Sequence, residues 1–114
     1  MSDDLFLKIV NREIPADIVY ENDEVLAFRD IDPQAPVHIL IIPKRRISTV
    51  NDLEDSDAQL MGQLLLAARD IALQENLSED GYRLVFNCNR HGCQSVYHIH
   101  LHLLGGRQLS WPPG

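Results

Sequence analysis

Residues 97–104 read Tyr-His-Ile-His-Leu-His-Leu-Leu, so that His98, His100 and His102, three of the five histidines in the chain, alternate with Ile99, Leu101 and Leu103. Successive side chains of an extended strand point to opposite faces. A strand here gathers the imidazoles on one face and the apolar residues on the other, and the apolar face can join a core. A helix advances about 100° per residue and would scatter the imidazoles among the leucines, leaving no buried face. The pattern predicts a strand over residues 96–104 with apolar side chains toward a core and imidazoles toward a surface or cleft.

The other elements follow from the same periodicities. Leu5, Phe6, Ile9 and Val10 form the apolar stripe of a short helix behind Ser2-Asp3-Asp4, where the macrodipole favours acidic residues, and Pro15 lies beyond its end. Residues 18–20 and 25–29 read as a hairpin around Glu21-Asn22-Asp23-Glu24. Residues 37–42 are rich in branched apolar side chains and stop at Pro43, which predicts a central strand with one polar member, His38. Leu60, Met61, Leu64, Leu65, Ala68, Ile71 and Ala72 recur at three- and four-residue spacing, predicting a long helix from Ser56 or Asp57 to about Glu75. Residues 82–87 read as a further strand and 88–94 as a loop. The sum is an α+β domain, a mostly antiparallel sheet of about five strands with one long and one short helix.

With 114 residues, 45% hydrophobic and 24% charged, the chain suits one domain over residues 1–114, with 105–114 as a C-terminal tail. A formal net charge of -7 argues against general affinity for nucleic acid or an anionic membrane, so an anionic substrate must be held by local groups. No stretch reaches membrane-spanning length, and the charged first twenty residues exclude a signal-peptide core, so a cytoplasmic location is expected. Cys88 and Cys93 are expected to stay reduced.

Imidazole near neutral pH serves as nucleophile, hydrogen-bond donor and proton carrier, so a row of them suits transfer of a phosphoryl group to and from nitrogen. Neighbouring imidazoles can stabilise the oxygens and protonate a leaving group. Acyl transfer is disfavoured because no Gly-x-Ser-x-Gly elbow is present, and no glycine-rich phosphate loop with lysine occurs. Two rivals stand beside this reading. His98 and His102 would lie about 13 Å apart along a strand, too far for all three imidazoles to share one zinc, although two of them completed by His38 could. No carboxylate flanks the run to assist such a metal, and Cys88, His91 and Cys93 form only a weak candidate patch. The blander rival is a wet sheet face decorated by three histidines, with His38 a satisfied core residue and His91 an ordinary exposed side chain.

The run from His98 to Leu104 resembles the signature of the histidine triad superfamily. Phe28-Arg29-Asp30-Ile31, Gln34-Ala35-Pro36-Val37-His38, Ile42-Pro43-Lys44, Gly81-Tyr82-Arg83, Gln94-Ser95-Val96-Tyr97, Gly105-Gly106-Arg107 and the closing Trp111-Pro112-Pro113-Gly114 are similar to its histidine triad nucleotide-binding branch. The resemblance implies the histidine triad fold and a metal-independent purine nucleoside phosphoramidase without cofactor. Such an enzyme cleaves the P–N bond of adenosine or guanosine 5′-phosphoramidates through a nucleotidyl-histidine intermediate.

By the same resemblance His100 matches the nucleophile, while His38, His98 and His102 match the histidines that orient it, contact phosphate oxygens and handle protons. Asn87 and Ser95 match polar residues facing the phosphate and leaving group, Asp30 matches the carboxylate on the ribose hydroxyls, and Leu5, Phe6, Ile9, Phe28 and Ile31 match the apolar base pocket. A homodimer is implied, its two sheets joined into one. Cys93 departs from the glycine usual in the branch, and a side chain there could crowd the phosphate site. Alternatives within the same resemblance are a dinucleoside polyphosphate hydrolase and a nucleotide-binding regulatory or scaffold protein. A sugar-phosphate nucleotidyltransferase is disfavoured because that branch carries Gln where this chain has His102.

Overall fold

The structure is a computed structural model that describes residues 5–114; the acidic helix start expected at Ser2-Asp3-Asp4 lies outside them. Helix α1 (Leu5–Val10) precedes β1 (Ile18–Glu21), β2 (Val25–Arg29) and β3 (Val37–Pro43); helix α2 (Ala58–Gln74), β4 (Tyr82–Phe86) and β5 (Leu101–Gly105) follow. The strands form one antiparallel sheet in the order β1-β2-β3-β5-β4. The first hairpin closes because the side-chain Oδ1 of Asn22 accepts from the N–H groups of Glu24 and Val25, each at 2.9 Å. Such Asx closure is what makes Asn a turn residue.

The period of two sorts the strands into two faces. Val25, Ala27, Ile39, Ile41, Leu101 and Leu103 lie on one face and pack against Leu64, Ala67, Ala68 and Ile71 of α2. Leu26, Phe28, Leu40 and Ile42 lie on the other, covered by Phe6 and Ile9 of α1. The long helix forms as its spacing predicts, begun by Asp57, whose buried carboxylate accepts from the Glu54 N–H at 2.9 Å and pairs with Arg45. At the end of β5 a Cβ on Gly105 would sit 2.8 Å from a Leu77 methyl, and Gly106 just beyond takes a φ of +94 that L side chains rarely adopt. The tail then runs back past Pro36 to the outer strand, where Arg83 donates to the Ser110 carbonyl at 2.7 Å.

The histidine strand is shorter than its sequence pattern predicts. β5 begins at Leu101, and residues 96–100 run outside the ladder. The register that pairs Ile41 with Leu101 would next need Pro43 opposite Ile99, and proline has no N–H to give. Instead the Pro43 carbonyl accepts from the His98 ring at 2.7 Å, and the Ile99 N–H donates to Ile47 O at 2.6 Å. The alternation survives nonetheless: Ile99 is buried with Ile47 and Leu60, while His98 and His100 lie edge to face with Phe6 on the other side.

Candidate active site

Four imidazoles converge on the sheet face opposite α2, and their hydrogen bonds fix where each proton resides. His100 Nδ1 lies 2.7 Å from the main-chain carbonyl of His98, which can only accept; Nδ1 therefore carries the proton and Nε2 keeps its lone pair. His98 Nε2 in the same way donates to Pro43 O. The Gln34 main-chain N–H donates to His38 Nδ1 at 3.0 Å, so His38 holds its proton on Nε2. That nitrogen lies 2.9 Å from His102 Nδ1, which must accept, leaving a proton on His102 Nε2. His102 Nε2 and His98 Nδ1 are buried with no partner among the described residues. The rings of His100 and His102 are 4.9 Å apart, and Phe6 stands edge-on to His100 at 5.1 Å.

Burial pulls all four imidazoles below the ordinary value of 6.5. His102 falls to about 4, with the neighbouring His100 and His38 adding to the effect of burial. For His38, the carboxylates of Asp30 and Asp32 oppose the burial effect without cancelling it. At neutral pH the array is uncharged. His100 thus presents an unprotonated Nε2, the form in which imidazole is a nucleophile.

A cavity of about 240 Å³ opens beside His100 and His102. Its apolar wall comes from α1 and the sheet through Leu5, Phe6, Ile9, Phe28 and Leu40; Ile14, Pro15 and Ala16 close one side. Arg29, Asp30 and Ser95 are its polar members besides the imidazoles, and Ile31 stands at the rim with 100% of its surface exposed. His38 and His98 sit behind the lining, at 6% and 0% exposure. Asn87 is placed apart, just past β4 under the Gly92 backbone, and is not among the lining residues. Cys93 adopts the left-handed conformation, φ 63 and ψ 35, that glycine takes without strain, and its exposed side chain stays out of the cavity lining.

Asp30 supplies the carboxylate that the sequence around the histidine run lacks. Its Oδ2 is 3.5 Å from His38 Nε2, and ligand atoms of Asp30, His38 and His102 lie within 4.8 Å of one another, close enough to share a cation. The hydrogen-bond polarity opposes one. A metal on His38 Nε2 would move the ring proton to Nδ1, directly against the Gln34 N–H. Cys88, His91 and Cys93 form no such group among the described residues.

The sequence reading missed Gln94. It is buried; its Oε1 accepts from the Asn89 N–H at 2.9 Å, and its Nε2 donates to Ser48 O at 2.8 Å and Val96 O at 3.1 Å. These bonds tie residues 89–96, and with them Ser95, to the segment after β3. Its place in the motif Gln94-Ser95-Val96-Tyr97, between a polar loop and an apolar run, was the available signal.

A family profile described as the HIT domain matches residues 11–109, and the chain belongs to that family. Among curated relatives, "Purine nucleoside phosphoramidase" of Escherichia coli (strain K12) is 61% identical over 92% of this chain and 88% of its own length. "14 kDa zinc-binding protein" of Zea mays is 56% identical over 96% and 87%. Among solved structures, a "HIT family hydrolase from Legionella pneumophila Philadelphia 1" superposes with a TM-score of 0.95 at 61% identity, covering 96% of this chain and 98% of that one.

Proposed function

We propose that this protein is a hydrolase of purine nucleoside 5′-phosphoramidates, and that His100 Nε2 is its nucleophile. The observation that carries the assignment to His100 is its hydrogen bond to the His98 carbonyl, which turns an unprotonated Nε2 toward the cavity side and keeps it there. The 61% identity to the Escherichia coli phosphoramidase supports the substrate class. Nε2 attacks phosphorus as the P–N bond breaks and the amine departs with a proton taken from solvent; water then cleaves the nucleotidyl–His100 bond, releasing the nucleoside monophosphate and returning a proton to solvent. His102 Nε2–H, without a partner among the described residues and on a ring that lines the cavity, is free to donate to a phosphoryl oxygen as charge builds on it.

The purine lies between Phe6, Ile9 and Phe28, and closing Ile31 over it removes a wholly exposed isoleucine from water. Asp30 accepts from the ribose hydroxyls. Ser95 faces the phosphate and leaving group, and Asn87 acts only by supporting that loop. No metal or cofactor enters the reaction. The protein acts in the cytoplasm as a homodimer, paired through the outer edge of β4 and the exposed Leu65, Leu66 and Leu73 of α2. Light scattering on the purified protein would return a monomer mass if that pairing were wrong.

The test of the activity is hydrolysis of an adenosine 5′-phosphoramidate bearing a fluorescent amine, run in EDTA. Wild type turns it over, and His100→Ala is slower by a factor on the order of 10⁴ or more while remaining folded. Turnover that appears only on adding zinc would refute the metal-free mechanism. Equal turnover by His100→Ala would remove the nucleophile assignment.

A further inference from the structure

The bond between His38 and His102 joins the Nε2 of one imidazole to the Nδ1 of the other, 2.9 Å apart, and either could carry the proton. What breaks the tie lies outside the array. The Gln34 main-chain N–H points at His38 Nδ1 from 3.0 Å, and a ring proton placed there would face another proton. We propose that Gln34 is a positioning residue of this site, acting through its main-chain N–H to give the whole imidazole pair one polarity. The amide holds His38 as the Nε2–H tautomer, His102 Nδ1 is obliged to accept, and His102 Nε2–H becomes a standing neutral donor beside the nucleophile.

The same amide denies the pair a third proton. An added proton would have to sit on His38 Nδ1, against Gln34, or on His102 Nδ1, against His38 Nε2–H. His102 therefore acts as a hydrogen-bond donor to a phosphoryl oxygen and not as the acid that protonates the amine. The charged and titratable groups facing His38 are Asp30 at 3.5 Å, Asp32 and the imidazoles of His102 and His100.

The peptide that delivers the N–H is held from several directions. Pro33 and Pro36 flank it, its side chain donates to Asp32 O at 3.0 Å, and Asp32 N–H in turn donates to Asp30 Oδ1 at 2.8 Å. The Gln34 carbonyl accepts from Arg107 at 3.1 Å, a residue brought back by the turn at Gly106. A surface arginine from the far end of the chain thus braces the amide that orients two histidines.

The catalytic half of this inference rests on the phosphoramidase reading; the tautomer half does not. The test is nitrogen-15 NMR of the intact wild-type protein near neutral pH. His38 and His102 are both expected with Nε2 protonated and Nδ1 bare, with couplings across the hydrogen bonds from Gln34 N to His38 Nδ1 and from His38 Nε2 to His102 Nδ1. A proton on His38 Nδ1 would overturn the proposal outright, with no variant needed.

Two substitutions then separate the main chain from the side chain. Gln34→Ala is the conservative variant that keeps the N–H, and it retains the His38 tautomer with kcat within about twofold of wild type. Gln34→Pro removes the N–H; His38 then averages between tautomers and kcat falls roughly tenfold with KM unchanged, less than the loss from a wrongly fixed tautomer. Retention of tautomer and kcat in Gln34→Pro, or an equal loss in Gln34→Ala, would defeat the role of the amide. Correct tautomers in a wild type that does not hydrolyse the phosphoramidate would instead strike the proposed function and leave the polarity standing.

Discussion

On the side of the sheet covered by α2, Val25, Ile39, Ile41, Leu64, Ile71 and Leu103 are all at 0% exposure and all hydrocarbon. On the side covered by α1, the same strands bring His38 and His102 up beside Leu40 and Phe28, and two ring nitrogens are left buried without partners among the described residues. An unsatisfied buried polar group costs about 1–3 kcal/mol. The helix side therefore carries stability, and the histidine side gives some of it up to hold neutral imidazoles in one arrangement. That division is a physical claim, and substitutions on the two faces should separate stability from chemistry.

The largest expected separation comes from pairing Ile71→Ala with His102→Leu. Ile71 is at 0% exposure, so its truncation leaves a cavity and lowers unfolding free energy by about 2–5 kcal/mol, while kcat per folded molecule stays at the wild-type level. His102→Leu removes the unpartnered Nε2–H but also takes the acceptor from His38 Nε2–H, so it loses kcat by roughly 10²–10³ while stability changes by less than the Ile71 cavity costs. Urea unfolding and turnover on both proteins check this. If His102→Leu were as destabilised as Ile71→Ala, the division between the faces would fail.

Acidification should expose the same asymmetry more gently. His102 has a folded value of about 4 against 6.5 for the free side chain, so between those limits the unfolded chain binds more protons than the folded one. Stability is therefore complete above about 6.5 and declines as pH falls toward 4. His98, His38 and His100 shift in the same direction and steepen the decline. Thermal melts of wild type and His102→Leu across that range should differ, the variant showing the shallower slope. Parallel slopes would mean that His102 titrates normally and is not held neutral by burial.

Much of this contrast was legible in the chain. A period of two with imidazole on alternate positions survives even where the ladder fails, because Ile47 still holds Ile99 in the core while His98 and His100 turn toward Phe6. The strand limit was not legible, since it depends on Pro43 and Ile47, which lie more than fifty residues earlier in sequence. The apolar faces of α2 and β3 were readable because burial follows residue type. The link from Asp30 to His38 was not, because it is created by the connection between β2 and β3 folding those residues together. Gln34 is the extreme case: its contribution is a main-chain N–H, which every residue but proline possesses, so no reading of side chains could single it out.

Asp30 offers the smallest and sharpest of the tests, because it belongs to both the polar and the apolar parts of the histidine side. It lines the cavity next to Phe28, and its Oδ2 also lies 3.5 Å from His38 Nε2. If its main work is to accept from ribose hydroxyls, Asp30→Asn weakens a charge-assisted bond and raises KM about tenfold, as expected for bonds worth about 1.5–3 kcal/mol. A 2′,3′-dideoxy substrate, lacking both hydroxyls, should then be handled alike by wild type and variant. If instead Asp30 acts chiefly by steadying His38, the variant loses kcat on both substrates by the same factor and KM is unmoved. Because His38 is held neutral through the Gln34 N–H, the carboxylate has no imidazolium to pair with, so the KM effect should dominate.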